Sequence, residues 1–552
     1  MKRVTSLFLA TGTIAAVAGM FLMGGESRGE TCKLELKRIA SRRGGMSLAE
    51  YQFQATYPQH FQLHFQTPQA GRKVQVVISG QEGQEAAFKR VVKKQPEKYN
   101  GEHPFRGVAK LGTQEFAFVL DTAAPPPEKT AAKPAVEAES DTAKPGLLET
   151  LARALTGDAQ TPELPRGAGR AVAYGRLYFD LNHNGDLTDD QVIEAEKSER
   201  MPAAQHYASS EFPPVTVAVE ADGVKFDYVF RMSVTSYVQS VGFVVAYASL
   251  NAAAYREGEI TLDGKKRRVA LIDFNSNWRF DDQIKIRDED ASRDGEVNAA
   301  YGDVLLLDPE TKANFYINPY DVTASRSRHQ VSKLLNVEGK YYELKISPAG
   351  DQLSLIPTAL PLGSVTNPNE GFTAVVYGDQ GFVKIRGGKS QPALLPAGQW
   401  KLLSYTLDQT AVPKPQPKPG EKAEAAKDQT AEPSSGGLLG ALVQALAGSG
   451  DGVAEGPFRL TCVSAQATQD YQPVVVRPGA AVELPFGPPY KPVVRVEYAQ
   501  GAGQVQIGLQ LVGITRERCT DMTVQGNRPP APQFKITDPK GEVVYQGTFK
   551  YG

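Results

Sequence analysis

The feature that most constrains this chain is an apolar strand-like segment that runs straight into a polar loop. Arg176-Leu-Tyr-Phe179 has the character of a buried strand, and Asp180-Leu-Asn-His-Asn-Gly-Asp-Leu-Thr-Asp-Asp190 follows at once. Oxygen-bearing side chains recur at every second place, Asp180, Asn182 and Asn184, and Gly185 comes next. A hard cation needs several oxygen ligands gathered by a sharp turn, and the turn needs a residue that tolerates positive φ. Asp186, Thr188, Asp189 and Asp190 add oxygens on the far side.

The same design occurs again. Arg268-Val-Ala-Leu-Ile272 leads into Asp273-Phe-Asn275-Ser-Asn277-Trp-Arg-Phe-Asp281-Asp282. Trp278 stands where Gly185 stands in the first run, and the Asp pair comes one residue sooner. A bulky residue resists the left-handed conformation, so this second turn is expected to form less easily. Two such runs, each after an apolar strand, point to one architecture used twice.

The first run resembles the calcium loop of EF-hands and the related DxNxNG loops of dockerins and thrombospondin-type repeats. In that template oxygen ligands fill the first, third and fifth places, Gly the sixth and a backbone carbonyl the seventh, and a late carboxylate closes the site. The chain departs from it at the twelfth place, which is Gln191, so Asp189 or Asp190 has to close. A strand also stands where the template has a helix. The resemblance implies calcium as the cofactor. It would be held by Asp180, Asn182, Asn184, Asp186, Asp189 and Asp190, and more weakly or not at all by Asp273, Asn275, Asn277, Asp281 and Asp282. A polar turn without metal is the alternative for either loop.

At 552 residues the chain is too long for one core, and about 150 residues per domain implies several units. A net charge of −1 gives no field for nucleic acid. The 52 Gly and 38 Pro point to many turns and few long helices. Lys2-Arg3 followed by the apolar run Val4–Gly25 reads as a signal peptide over residues 1–29, cleaved before Glu30. An uncleaved anchor is the alternative and the one route to a membrane. The chain is therefore expected to be exported: periplasmic, secreted or at the cell surface. Export permits disulfides. Of Cys32, Cys462 and Cys519, the last two lie in one region and are expected to pair, three free thiols being the alternative.

The expected fold is mainly β: several sandwich-like modules, with two disordered inserts each carrying a short amphipathic helix. Residues 30–121 form an N-terminal β unit in which Phe61, Leu63 and Phe65, then Phe116, Phe118 and Leu120, alternate with other residues. His60 and His64 share a strand face there without a third ligand and are read as ordinary histidines. Residues 122–169 are rich in Pro, Ala, Lys and Glu and cannot build a core. They end in a helix with Leu147, Leu148, Leu151 and Leu155 at helical spacing. The same event recurs over 409–456 with Leu438, Leu439, Leu442 and Leu446. Each insert lies between two strand-like segments, so each is an excursion from a hairpin. Residues 170–361 form a β unit holding both acidic loops, with Asp288, Glu289 and Asp290 as a solvated turn. Residues 362–408 and 457–552 are halves of immunoglobulin-like modules, ending in a hairpin whose turn is Asp538-Pro-Lys-Gly541.

No G-x-S-x-G, H-E-x-x-H or phosphate-binding loop is present. The whole resembles secreted bacterial β-rich proteins with DxNxNG calcium loops and PEGA-like C-terminal modules. That resemblance implies a calcium-stabilised binding or scaffolding protein with a protein or polysaccharide partner at the cell surface. An extracellular hydrolase with structural calcium is the rival, and a cleft lined by convergent acids would favour it.

Overall fold

The computed structural model describes residues 29–39, 52–53, 57–66, 82–123, 171–200, 206–240, 243–287, 295–309, 325–409, 461–499, 504–524 and 527–550. The N-terminal apolar run, both Leu-rich insert helices and Asp288–Asp290 lie outside them.

The fold is mainly β, and its strands build three layered cores. In the first, Phe105–Leu111, Gln114–Thr122, Tyr174–Phe179 and Ile193–Glu194 form one antiparallel sheet. Its inward residues Phe105, Leu111, Phe116, Phe118, Leu120, Leu177 and Phe179 are fully buried. They meet the inner face of a six-stranded sheet built around the long strands Val224–Ser240 and Phe243–Ala252, which contributes Phe230, Met232, Val244, Ala246, Ala248 and Leu250. Side chains alternate across a strand, so both sheets turn one apolar face to this shared core. The outer face of the smaller sheet is covered by a helix, Glu82–Val91, whose Phe88 packs with Val108, Ala117, Val119 and Tyr178. The uniform β pattern expected up to residue 121 misses this helix.

The second core lies between the sheet of Ala254–Leu262, Lys265–Ile272 and Val304–Leu307 and the sheet of Leu334–Val337, Lys340–Ile346 and Gln352–Pro357. The third lies in the C-terminal region, where Phe372–Gly378, Gly398–Asp408 and Cys462–Gln466 pair in order against a smaller sheet.

Both inserts leave from hairpins. Gln114–Thr122 pairs antiparallel with Tyr174–Phe179, and Gly398–Asp408 with Cys462–Gln466. The N-terminal strands are shared across the boundary at 121: Glu30–Lys33 pairs with Gln352–Pro357, Glu35–Arg38 with Ala254–Leu262, and Gln59–Gln66 with Phe243–Ala252. Cys462 and Cys519 are on neighbouring strands but no disulfide joins them, correcting the expected pairing. The register explains this, because Cys519 lies opposite Ala465 and Cys462 opposite Thr523.

Candidate metal centre

Both acidic loops begin where a buried strand ends, and both start with an Asp that has no solvent exposure. Asp180 Oδ1 accepts the Asn184 N–H at 2.9 Å, and Oδ2 accepts the Gly185 N–H at 3.0 Å. Asp273 Oδ1 accepts the Asn277 N–H at 3.1 Å, and Oδ2 accepts the Trp278 N–H at 2.7 Å. In each loop one carboxylate thus caps the N–H groups four and five residues ahead. The fifth-place amide repeats as well. Asn184 Oδ1 accepts the Asp186 N–H, and Asn277 Oδ1 accepts the Arg279 N–H. Asn184 Nδ2 donates to Asp189 Oδ2 at 2.7 Å, and Asn277 Nδ2 to Asp282 Oδ2 at 2.6 Å.

Backbone dihedrals complete the match. His183 and Ser276, at the fourth place, have φ of 57° and 55°; Gly185 and Trp278, at the sixth, have 82° and 77°. Trp278 therefore takes the turn that was expected to resist it. The compensation is burial: its ring is 1% exposed and packs on Phe226. Gly112 makes room, because a Cβ there would lie 1.7 Å from Trp278 Cζ2. The eighth place of each loop is an apolar anchor. Leu187 is buried beside Phe88 and donates its N–H to Lys94 O, while Phe280 is buried and donates its N–H to Pro348 O. One hairpin turn touches both loops: the Gly112 N–H bonds Asn277 O, and Gln114 reaches His183 Nδ1 at 3.5 Å.

The loops differ in how far their oxygens are already engaged. In the first, Asn182, Asn184 and Asp189 are exposed and Asp190 is half-buried. Burial pushes the Asp190 carboxyl up to about 6, and the charges of Asp189 and Asp180 push the same way. A cation among them relieves that repulsion. Asp186 is committed elsewhere: bonds from the Thr188 hydroxyl and N–H pull it down to about 2, and Lys94 Nζ donates to its Oδ2 at 3.0 Å. The donors that fit calcium are thus Asp180, Asn182, Asn184, Asp189 and Asp190.

In the second loop, Arg279 holds Asp281 through two hydrogen bonds of 2.8 Å. Asp282 Oδ2 takes the amides of Asn275 and Asn277. Tyr228 donates its hydroxyl to Asp273 at 2.8 Å. A residue that sequence reasoning left out of the site, Asp303, closes this loop. Its carboxylate accepts the N–H groups of Phe274 and Asp282 at 3.1 and 2.8 Å, and it has no solvent exposure. Burial pushes its carboxyl far above the usual range, and Asp273 and Asp282 add to the rise. The available signal was its place, a lone acid opening the wholly apolar strand Val304–Leu307.

Among the described residues, no three or more His, Cys, Asp or Glu side chains gather as a metal-holding group, so any site here mixes carboxylates with amide oxygens. His60 and His64 lie in the strand Gln59–Gln66, opposite Ser249 and Val245, with no such group around them. No protein-family model matches the chain, and neither does any curated protein or solved structure.

Proposed function

We propose that this is an exported, calcium-stabilised β-sandwich protein that acts as a binding or scaffolding module in the periplasm or at the cell surface. The observation that carries the calcium reading is that the first loop's oxygens are open to solvent at Asn182, Asn184 and Asp189 and accept amide N–H groups rather than a charged partner. Asn182, Asn184, Asp189 and Asp190 surround a turn already fixed by Asp180, and their carboxylates crowd one another. Calcium would supply charge neutralisation and tie the loop to the strand that precedes it; the chain's own residues set the turn. We read the second loop as the metal-free version of the same turn, since Arg279, Tyr228 and two amides engage its acids. The apolar N-terminal run supports export.

The rival reading is an extracellular hydrolase, and the gathering of Asp273, Asp282 and Asp303 is what favours it. Two of these acids have no solvent exposure and both cap backbone N–H groups, which suits a staple rather than a group that meets substrate. Calorimetric titration of the full chain with calcium tests the main reading. One saturable site that disappears in Asp189→Asn is expected; no binding at up to about 10 mM calcium, well above the range of weak extracellular sites, removes it.

A further inference from the structure

Away from both loops, the C-terminal region holds a cavity of about 630 Å³. One wall is the hairpin of Lys491–Ala499 and Gln504–Val512. Its register sets Lys491 opposite Val512, Val493 opposite Gln510 and Arg495 opposite Gly508. Alternation therefore puts Lys491, Val493 and Arg495 on one face, beside Gln510 and Val512. Arg518, opposite Val512 on the next strand, extends that face, and Arg516 joins it from the intervening turn. The facing wall comes from Gly295 and Thr468–Asp470, tied together by a bridge between Glu296 and Thr468.

The lining is strongly one-signed. Among the described residues, Lys491, Arg495, Arg516 and Arg518 are its cations and Asp470 its one carboxylate. Arg516 lies 3.6 Å from Asp470, and Arg518 lies 3.4 Å from Glu296 just behind the wall. Among the described lining residues, cations thus outnumber carboxylates four to one. The second observation is Thr468. It is 8% exposed, it lines the cavity, and its buried Oγ1 has no hydrogen-bond partner among the described residues. A buried hydroxyl without a partner is costly, and a ligand that draws the Thr468 side chain toward the cavity would supply one. Val493, Val512 and Ile514 add an apolar flank.

We propose that this cavity binds a small organic anion, of one to three sugar rings, through carboxylate or phosphate groups. The volume suits a small molecule. Arginines recognise planar and tetrahedral oxyanions with paired hydrogen bonds, and a concave wall of one sign focuses the field on the ligand. Acid sugars and sugar phosphates share this chemistry. The site is independent of calcium, so it stands or falls apart from the loop reading.

The test is calorimetric titration of the full chain in EDTA with trigalacturonate, glucose 1-phosphate and, as a neutral control, maltotriose. Saturable binding of at least one anion and none of maltotriose is expected, and the stronger of the two anions identifies the source. Affinity should fall about tenfold between about 50 mM and about 500 mM NaCl, because the contacts are electrostatic. Lys491→Glu with Arg495→Glu should weaken it at least about tenfold, and Lys491→Arg should keep it. Arg516→Glu, on an exposed turn, gives a second charge reversal that leaves the sheet untouched. Binding of neither anion, equal binding of maltotriose, or unchanged affinity in both charge-reversed proteins overturns the proposal.

Discussion

Asp180 serves the first loop in two ways, and two substitutions separate them. In Asp180→Ala the N–H groups of Asn184 and Gly185 lose their acceptors. Bonds to a charged acceptor contribute about 1.5–3 kcal/mol each. Asn184 is exposed and regains water, whereas Gly185 is buried. The expected loss is therefore about 2–4 kcal/mol in EDTA, with the calcium increment lost in addition when calcium is present. Asp189→Asn behaves differently. Asp189 is exposed and takes only the Asn184 amide, so its loss in EDTA should stay under about 1 kcal/mol. What it should lose is the calcium increment. For a dissociation constant of about 10⁻⁴–10⁻³ M, about 10 mM calcium stabilises the native state by about 1.4–2.7 kcal/mol. Asp281→Asn, on the Arg279-paired acid of the second loop, should leave that increment unchanged. The assay is urea unfolding in calcium and in EDTA, with magnesium as a control. An increment under about 0.3 kcal/mol in the parent protein, or one that survives Asp189→Asn, refutes the reasoning.

Three further outcomes are expected. Gly112→Ala should cost about 2–5 kcal/mol, because a Cβ at φ 63° adds backbone strain and collides with Trp278; unfolding curves and a red shift of Trp278 emission check it. His329 is buried, and burial with the nearby charges of Lys384 and Arg386 holds its imidazole well below the usual range. The unfolded chain takes up that proton below about pH 6.5 and the native one does not, so this contribution is whole above that pH and fades as pH falls; stability against pH for His329→Gln should show a shallower acid limb than the parent. Thiol counting in denaturant without reductant should find three free cysteines; in the native state Cys32 and Cys519 should react slowly, since burial pushes their thiols up to about 11 and about 12, and a count of one would restore the Cys462–Cys519 pair.

What could be read from the sequence was local. Phe116, Phe118 and Leu120 turn to the core as their alternation requires. The hairpin origin of both inserts followed from strand-like residues at each point of departure and return. The Asp263-Gly264 turn has the positive φ at both residues that a tight hairpin needs. What could not be read was pairing at long range. Nothing in Gln59–Gln66 specifies Phe243–Ala252 as its neighbour, because an amphipathic strand fits any edge of matching length. The helix Glu82–Val91 was lost for a different reason: among its described side chains Phe88 is the single buried one, too little for a periodic stripe. Asp303 lies 21 positions beyond Asp282, and a contact made by a lone acid leaves no local pattern.

The two loops make clear what a D-x-N-x-N run encodes. Its first Asp is spent on the turn itself, since Asp180 and Asp273 bond the same two backbone positions whether Gly or Trp holds the sixth place. The glycine is therefore one way to reach positive φ, and a deeply packed ring over Gly112 is another. The motif specifies a capped turn at a strand end. Metal affinity depends on what surrounds that turn. Around the second loop the chain supplies Arg279, Tyr228 and the two amides to the acids, and a cation would have to displace them. Around the first, Lys94 reaches only Asp186, and Asp189 and Asp190 are left to repel each other. Displacement at the second loop breaks two bonds from the Arg279 guanidinium and exposes a buried phenol; at the first it disturbs amide contacts alone, from the Asn184 side chain to Asp189 and from the N–H groups of Leu181, Asn184 and Asp186. That difference ranks the first loop above the second as the proposed calcium site.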